Sequence, residues 1–76
     1  MDQNKFKATM GSIIKQPVER LKDDAVLTDL VTDSFVLVDM VIELQEEFDV
    51  FVVQDDLKNV KTVGQLIALF NQKSQV

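Results

Sequence analysis

The stretch "DSFVLVDMVIELQEEF", residues 33–48, has the clearest helical pattern in the chain and decides its fold class. Apolar residues recur in it at the spacing of one helix face: Leu37, Val41, Leu44 and Phe48, with Met40 at the edge. At about 100° per residue, this face centres near Leu37 and Phe48. Asp33 is a natural N-cap, because its carboxylate can accept from a backbone N–H of the first turn. The stretch therefore predicts a helix over residues 34–48.

The N-terminal part predicts one helix and one long loop. Residues 2–16 are predicted to be helical, because four apolar residues fall on one face: Phe6, Met10, Ile13 and Ile14. Gly11 costs this helix up to ~1 kcal/mol against alanine, and Pro17 is expected to end it. Residues 17–33 show no sustained period, and four apolar residues are expected to pin this loop to the core: Leu21, Val26, Leu27 and Leu30. A loop of this length is uncommon in a compact domain and often functional.

A connector and a short helix are predicted after residue 48. The run "DVFVV" is interpreted as an extended connector in which Val50 or Val52 is buried. The run "QDDLKNV" that follows predicts a short helix of one or two turns, with Leu57 and Val60 facing the core.

Thr62 and Gln65 form a T-x-x-Q capping box, which predicts the start of a last helix. Its apolar face comprises Val63, Leu66, Ile67 and Phe70. The tail, residues 71–76, is expected to fray. Together these elements predict an all-α fold in a single domain over residues 1–76. The expected architecture is a small four-helix bundle, with three main helices, one short helix and a long first loop.

The charges of the chain are unevenly distributed. The formal net charge is −5, and 11 of the 13 acidic residues lie between Asp23 and Asp56, where no lysine or arginine occurs. Such an acidic middle repels nucleic-acid phosphates, so binding of nucleic acid is not expected. It attracts basic patches on other proteins instead.

The residues that are missing exclude several kinds of chemistry. The chain has no histidine and no cysteine, so it cannot build a Ser–His or Cys–His nucleophile or a zinc site of the usual kinds. Carboxylates remain, but a helical domain of 76 residues is expected to offer little concave volume for a substrate. We therefore expect a non-catalytic binding module or a substrate of other enzymes, and no resident metal.

The location is expected to be the cytoplasm. No apolar run has the length of a signal peptide or a membrane span, and insertion into a membrane is not expected. The absence of cysteine fits a reducing compartment. The protein is expected to act as a monomer.

The predicted central helix has two kinds of exposed residue. An acidic arc lies opposite the core face and comprises Asp39, Glu43, Glu46 and Glu47. An apolar strip lies beside it and comprises Phe35, Val38 and Ile42. These could be a solvated face and packing under the long loop, or together a docking surface for a basic partner. The like-charge pairs Asp39–Glu43 and Glu43–Glu47 cost helix stability, which favours the docking interpretation.

Ser34 stands at the start of this helix and has no residue in the chain to activate it. Serine is common at helix starts as a cap, but Asp33 can already cap this helix. The Ser34 hydroxyl is then left for a group that another enzyme attaches. A phosphate would be favoured at this helix N-terminus, although the charge of Asp33 partly opposes it.

The stretch "TDSFVLVDMVIELQEEFDVFV" resembles the central segment of acyl carrier proteins. In that family an Asp-Ser pair opens the second helix, which closes on an acidic triplet before Phe. The matching positions are Asp33, Ser34, Asp39, Met40, Leu44, Glu46, Glu47 and Phe48. "LTDL" resembles the loop motif upstream, and "DDLKNVKTVGQLIALF" resembles the third and fourth helices of the family.

The resemblance implies a four-helix carrier with no catalysis of its own. It implies that Ser34 receives 4′-phosphopantetheine from coenzyme A through a magnesium-dependent phosphopantetheinyl transferase. The thiol of this group would then carry acyl intermediates for fatty acid or polyketide-type synthesis. The resemblance also implies that acids of the central helix dock on basic patches of acyl-transferring and synthase enzymes. The residues expected to dock are Asp33, Phe35, Val36, Val38, Asp39, Ile42, Glu43, Glu46 and Glu47.

Three departures from the family pattern lie around the serine. Phe35 stands where the family usually has leucine, and Val36 where it usually has an acidic or polar residue. Val31 and Thr32 stand where the family often has glycine. Because the transferase docks in this region, we expect a dedicated transferase, or poor loading by a generic one. Val36 also extends the apolar strip, so partner contacts are expected to be less electrostatic than is usual.

Two other hypotheses remain open at this point. The chain could be a carrier-like helical module that is never modified and acts as an interaction or regulatory subunit; Val31, Phe35 and Val36 motivate this alternative. A metal site formed by Asp23, Asp24, Asp29 and Asp33 is the other, but the spacing is not that of an EF-hand and no glycine supplies its turn.

Overall fold

Five α-helices and one short 3₁₀ turn make up the computed structural model, which describes residues 2–31 and 33–74. The helices are α1 (Gln3–Ile14), α2 (Leu27–Leu30), α3 (Ser34–Phe48), α4 (Gln54–Leu57) and α5 (Val63–Ser74). The described residues contain no β-strand, which confirms the predicted all-α class. Two elements are additional to the prediction, and both lie in the first loop: the 3₁₀ turn at Val18–Arg20 and the short helix α2.

Helix α3 begins and ends where the sequence predicts. The Asp33 carboxylate accepts from the N–H of Phe35 at 2.8 Å, which confirms Asp33 as the N-cap. At the other end, Asp49 adopts the left-handed conformation with φ 53°. The N–H of Val50 then donates to the carbonyl of Gln45 at 3.0 Å, which closes the last turn.

Helix α1 is shorter than the predicted segment 2–16. Asp2 caps its start, and the helix ends at Ile14 because Lys15 adopts the left-handed conformation with φ 59°. The N–H of Gln16 then donates to the carbonyl of Gly11 at 2.9 Å. Pro17 therefore lies beyond a turn that has already ended the helix.

The first loop is held against the start of α5 by backbone hydrogen bonds. The carbonyls of Ala25 and Asp23 accept from Val63 and Gly64 at 3.0 and 2.9 Å. These two N–H groups belong to the first turn of α5, where no partner exists within the helix. Leu21, Leu27 and Leu30 are buried as predicted. Val26 is not, because its backbone pairs with Thr62 and its side chain is left 38% exposed.

The connector after α3 buries both of its candidate valines. Val50 and Val52 are buried, whereas Phe51 and Val53 point to solvent, as in any extended segment with alternating sides. The Gln45 side chain accepts from the N–H of Val52 at 2.8 Å and fixes the connector to α3.

Helix α4 is tied to α5 through one carboxylate. Asp56 accepts from the N–H of Val53 at 3.3 Å and pairs with Lys73 at 3.1 Å. Lys73 lies in the segment that was expected to fray, but α5 continues through it to Ser74. The remaining two residues of the predicted tail lie outside the described part of the chain. Leu57 and Val60 are half-buried and pack against the core, in agreement with their predicted inward orientation.

The start of α5 has the predicted capping box. The Thr62 hydroxyl accepts from the N–H of Gln65 at 3.2 Å, and the Gln65 side chain accepts from the N–H of Thr62 at 3.2 Å. Val63, Leu66, Ile67 and Phe70 are all buried, as the spacing predicts.

The core corrects the predicted centre of the apolar face of α3. Met40 is fully buried rather than at an edge, together with Val41 and Leu44. Leu37 and Phe48 are only partly buried and pack at the margin of the core. Their partial burial follows from the neighbouring elements. Leu37 faces a cavity, and the ring centroid of Phe48 lies 5.4 Å from that of Phe6.

Candidate functional site

Ser34 is the first residue of α3, and it is exposed. Its neighbour Asp33 caps the helix through the N–H of Phe35, so the cap does not need the serine hydroxyl. Within residues 2–31 and 33–74, no hydrogen bond involves the side chain of Ser34. The hydroxyl is therefore presented to solvent at the mouth of a helix and is open to an outside enzyme.

An apolar cavity of about 270 Å³ opens beside Ser34, between α3 and α4. Its lining residues are Leu27, Ser34, Leu37, Val38, Val41, Gln54, Leu57, Lys58, Val60 and Leu66. The structure thus has one small cavity at this place, in a domain expected to offer little concave volume. The cavity exists because α4 is only four residues long and none of them is fully buried, so the space over Leu37 is incompletely filled.

The cavity can hold an apolar group, and few of its lining side chains are polar. Among the ten lining residues, Lys58 is the only one with a charge, and Ser34 and Gln54 are the only neutral polar ones. The volume lies just below the ~300–1,000 Å³ that is usual for pockets of drug-sized ligands. A hydrocarbon chain attached near Ser34 could enter it and remove its apolar surface from water.

The acidic arc of α3 keeps its full charge towards solvent. Asp39, Glu43, Glu46 and Glu47 are all exposed. The ion pairs in the described part of the chain lie elsewhere: Lys7–Asp23, Lys58–Asp55 and Lys73–Asp56. The arc therefore has no basic partner among the described residues, and its field is directed outwards.

The apolar strip beside this arc is also exposed, as predicted. Phe35 is 77% exposed, and the other members with solvent-facing side chains are Val36, Val38 and Ile42. The structure adds Phe51, which is 77% exposed and borders a shallow depression together with Ile42. The signal for Phe51 was present in "DVFVV", because an extended segment that buries Val50 and Val52 must turn Phe51 outwards.

One residue named for contact with a transferase cannot serve in that way. Val31 is buried beneath the start of α3, so a partner enzyme cannot reach its side chain. Thr32, the other substitution at a family glycine position, lies outside the described residues. Among the departures that the structure describes, Phe35 and Val36 stand at the surface.

The metal-site hypothesis finds no support in the geometry. Over residues 2–31 and 33–74, no group of three or more histidine, cysteine, aspartate or glutamate side chains converges to hold an ion. Asp23 instead pairs with Lys7 at 3.1 Å.

In the same part of the chain, no helix is both long and apolar enough to span a membrane.

Comparisons with known proteins indicate one family. A family model described as "Phosphopantetheine attachment site" matches residues 4–70. The chain is 30% identical over 74 residues to the acyl carrier protein of Buchnera aphidicola subsp. Schizaphis graminum. These residues are 96% of this chain and 94% of that protein.

Two further relatives have related descriptions. The acyl carrier protein homolog of Mycoplasmopsis pulmonis is 30% identical over 56 residues, which are 74% of this chain and 77% of that protein. The probable acyl carrier protein of Caulobacter vibrioides is 32% identical over 59 residues, 78% of this chain and 69% of that protein. The chain therefore belongs to the acyl carrier protein family, whose domain is the attachment site of 4′-phosphopantetheine.

Proposed function

We propose that the protein carries acyl groups on a 4′-phosphopantetheine arm attached to Ser34. The observation that carries this proposal is an exposed hydroxyl at the first residue of α3, left uncommitted because Asp33 caps the helix. The attached group supplies a thiol on a flexible arm, which holds acyl groups as thioesters. This agrees with a chain that has no cysteine, because the working sulfur comes with the arm.

The residues around Ser34 fit such a group. The hydroxyl is a neutral alcohol that can form a phosphodiester, and the space in front of it opens to solvent. In the loading step, the Ser34 oxygen forms a new bond to the phosphorus that bears the pantetheine part of coenzyme A. The pyrophosphate P–O bond breaks, the adenosine bisphosphate part leaves, and the hydroxyl proton passes to a base of the transferase. The Asp33 carboxylate beside Ser34 is engaged in capping α3, so the base is expected to come from the transferase.

The cargo that the structure favours is apolar. The cavity beside Ser34 is lined mostly by aliphatic side chains, so an acyl chain folded back from the arm would gain by leaving water. Fatty acid or polyketide-type synthesis is the proposed setting. The protein would act there as a non-catalytic substrate of other enzymes, in the cytoplasm and as a monomer.

The proposed docking surface for these enzymes is the exposed side of α3. It combines the acidic arc with the apolar strip, and Asp33 lies at its start. The acids would steer a basic patch towards the helix, and the apolar side chains would supply contact area once it arrives. Phosphopantetheinyl transferase is the first such partner, followed by acyl-transferring and synthase enzymes.

The loading assay tests the attachment site. The protein is incubated with coenzyme A, magnesium and each of several phosphopantetheinyl transferases, and its mass is measured. We expect one added phosphopantetheine in the wild type and none in Ser34→Ala. Because the hydroxyl makes no hydrogen bond to the described residues, Ser34→Ala should keep its stability within about 0.5 kcal/mol. No mass change with any transferase, or loading of Ser34→Ala, would contradict the proposal.

The same assay tests the docking surface through the transferase kinetics. Phe35→Ala and Asp39→Asn should each raise KM about threefold to tenfold, because they remove exposed contact area or steering charge. Glu19→Gln is the matched control, since Glu19 is an exposed acid on the 3₁₀ turn and not on α3. Equal effects of all three substitutions would argue against a surface on α3.

The exposed Phe35 keeps the second candidate function open. A side chain that is 77% exposed next to Ser34 is suited to a stable protein contact as well as to a transferase. The protein purified from its own cells separates the two functions. A pool that is wholly unmodified and held in a stable complex would favour the regulatory module, whereas a loaded pool would favour the carrier.

A further inference from the structure

Among the described residues that line the cavity beside Ser34, Lys58 is the only charged one. It directly follows α4 and lines this cavity together with Ser34. The other side chains of this cavity need no cation, because eight of the remaining nine are apolar or a serine hydroxyl and one is the amide of Gln54. The described lining of the cavity therefore gives Lys58 no anionic partner.

The present partner of Lys58 holds it weakly. Its ammonium lies 3.2 Å from the Asp55 carboxylate, three residues earlier in the chain. The two side chains are 72% and 86% exposed, and ion pairs of this kind contribute little because water screens them. Lys58 can thus exchange Asp55 for a better-placed anion at small cost.

Apart from the N-terminus of α3, little around Ser34 favours a negative charge. No lysine or arginine occurs between Asp23 and Asp56, so α3 itself offers no cation. Asp33 stands next to Ser34, and its carboxylate already takes the N–H of Phe35 in the first turn. A phosphodiester on Ser34 would face this carboxylate, and Lys58 is the cation that the fold brings to the same cavity.

We propose that Lys58 binds the phosphodiester formed on Ser34 and thereby positions the arm at the mouth of the cavity. This inference rests on the proposed attachment to Ser34. The role is one of positioning, because the ammonium would contact the phosphate oxygens and not the thiol or its cargo. The arm would then leave Ser34 towards α4 and the cavity, rather than towards the acidic arc of α3.

The test is a thermodynamic cycle with loaded and unloaded protein. Wild type, Lys58→Gln and Lys61→Gln are each prepared without the arm and with the arm but no acyl group, so that the phosphodiester is the only new anion. Lys61→Gln is the matched control, since Lys61 is an exposed lysine that undergoes the same charge change but does not line the cavity. Mass spectrometry first establishes that each sample is fully loaded.

Two readouts are then compared. The first readout is the change in Tm on loading, which is Tm with the arm minus Tm without it. At low salt this change should be roughly 2 °C lower in Lys58→Gln than in the wild type, because one ion pair is lost. Lys61→Gln should match the wild type within about 1 °C, and the difference should shrink in about 0.5 M NaCl. The ³¹P resonance of the loaded protein should move in Lys58→Gln and stay in place in Lys61→Gln.

The possible outcomes separate this inference from the proposed function. If mass spectrometry finds no arm on Ser34, the attachment proposal fails and this inference falls with it. If loading is complete but the change in Tm on loading and the ³¹P shift are the same in all three proteins, only the role of Lys58 is overturned. An equal change in Lys58→Gln and Lys61→Gln would also overturn it, because the effect would then follow net charge and not position.

Discussion

Asp33 and Ser34 are adjacent residues with separate tasks. The carboxylate of Asp33 satisfies the N–H of Phe35 at the start of α3, a bond that is typically worth about 1 kcal/mol. The hydroxyl of Ser34 is thereby released from capping and stays exposed. The helix cap and the proposed attachment site thus lie on different residues, so a substitution of Ser34 need not unfold the protein.

Gly11 is the residue whose role the sequence suggests wrongly. In a helix interior, alanine is expected to be more stable than glycine by up to ~1 kcal/mol. In the structure, a Cβ on Gly11 would lie 2.7 Å from the carbonyl oxygen of Gln16 and 3.3 Å from the Leu21 side chain. The chain folds back over α1 at this point, and only glycine leaves room for it.

We therefore predict that Gly11→Ala destabilises the protein. Overpacking of this kind costs about 1–3 kcal/mol, which outweighs the gain in helix propensity and should lower Tm by several degrees. Thermal unfolding followed by circular dichroism measures the change. Ser12→Ala is the control, because Ser12 is exposed on the same helix, and it should leave Tm equal or slightly higher. A Gly11→Ala protein as stable as Ser12→Ala would show that the turn after α1 yields easily.

At the scale of elements, α4 is the helix that depends most on a single residue. It has four residues and none is buried, so its own packing provides little stability. Asp56 links it both to its own start, at the N–H of Val53, and to α5 through Lys73. Because α4 forms one wall of the cavity beside Ser34, this link also fixes the shape of the cavity.

The link should be visible in the pH dependence of stability. The hydrogen bond and charge of Lys73 lower the pKa of Asp56 below its usual 3.8. A carboxyl whose pKa is lower in the folded state stabilises the fold above the unfolded pKa, and this stability is lost as pH falls through the folded value. The stability difference between wild type and Lys73→Gln should therefore be present at pH 7 and be lost as pH falls below the usual pKa of the carboxyl.

Chemical denaturation at a series of pH values measures this difference. Asp55→Asn serves as the control, because Asp55 pairs with the exposed Lys58 and its substitution should change stability little at any pH. A difference between wild type and Lys73→Gln that persists unchanged into acid would mean that Lys73 acts through packing and not through its charge on Asp56.

The whole molecule combines a thin core with an excess of like charge. Its net charge is −5, and the acids of α3 lie in a row without a basic partner among the described residues. A chain of this length buries only roughly 60% of the surface that its unfolded form exposes. Repulsion between the surface carboxylates therefore opposes the comparatively small stabilisation that the core provides.

We predict that salt stabilises the fold. Raising NaCl from about 10 mM to about 0.3 M shortens the Debye length from about 30 Å to below 8 Å, so Tm should rise. Glu43→Gln should raise Tm at low salt, because it removes two like-charge pairs worth about 0.2–0.5 kcal/mol each, with Asp39 and Glu47. It should also reduce the response to salt. A Tm that is flat or falls over this salt range would contradict the prediction.

The local elements were largely predictable from sequence, because their causes lie within a few residues. The bounds of α3 follow from the Asp33 cap and an unbroken apolar period, and the start of α5 follows from the Thr62–Gln65 box. The acidic arc and its exposed neighbours could be placed for the same reason. The end of α1 could not, since a left-handed Lys15 is favoured by the chain that returns over Gly11 and not by the residue itself.

The sequence by itself determined the helical class, the capping of α3 by Asp33 rather than Ser34, and the acidic face of α3. These features depend on spacing along one helix and on composition. Only the tertiary structure decided that Met40 is buried while Leu37 faces a cavity, and that Lys58 lines this cavity with Ser34. These facts join residues that are far apart in the chain. Such contacts depend on how neighbouring elements fill the space between them, which no local pattern specifies.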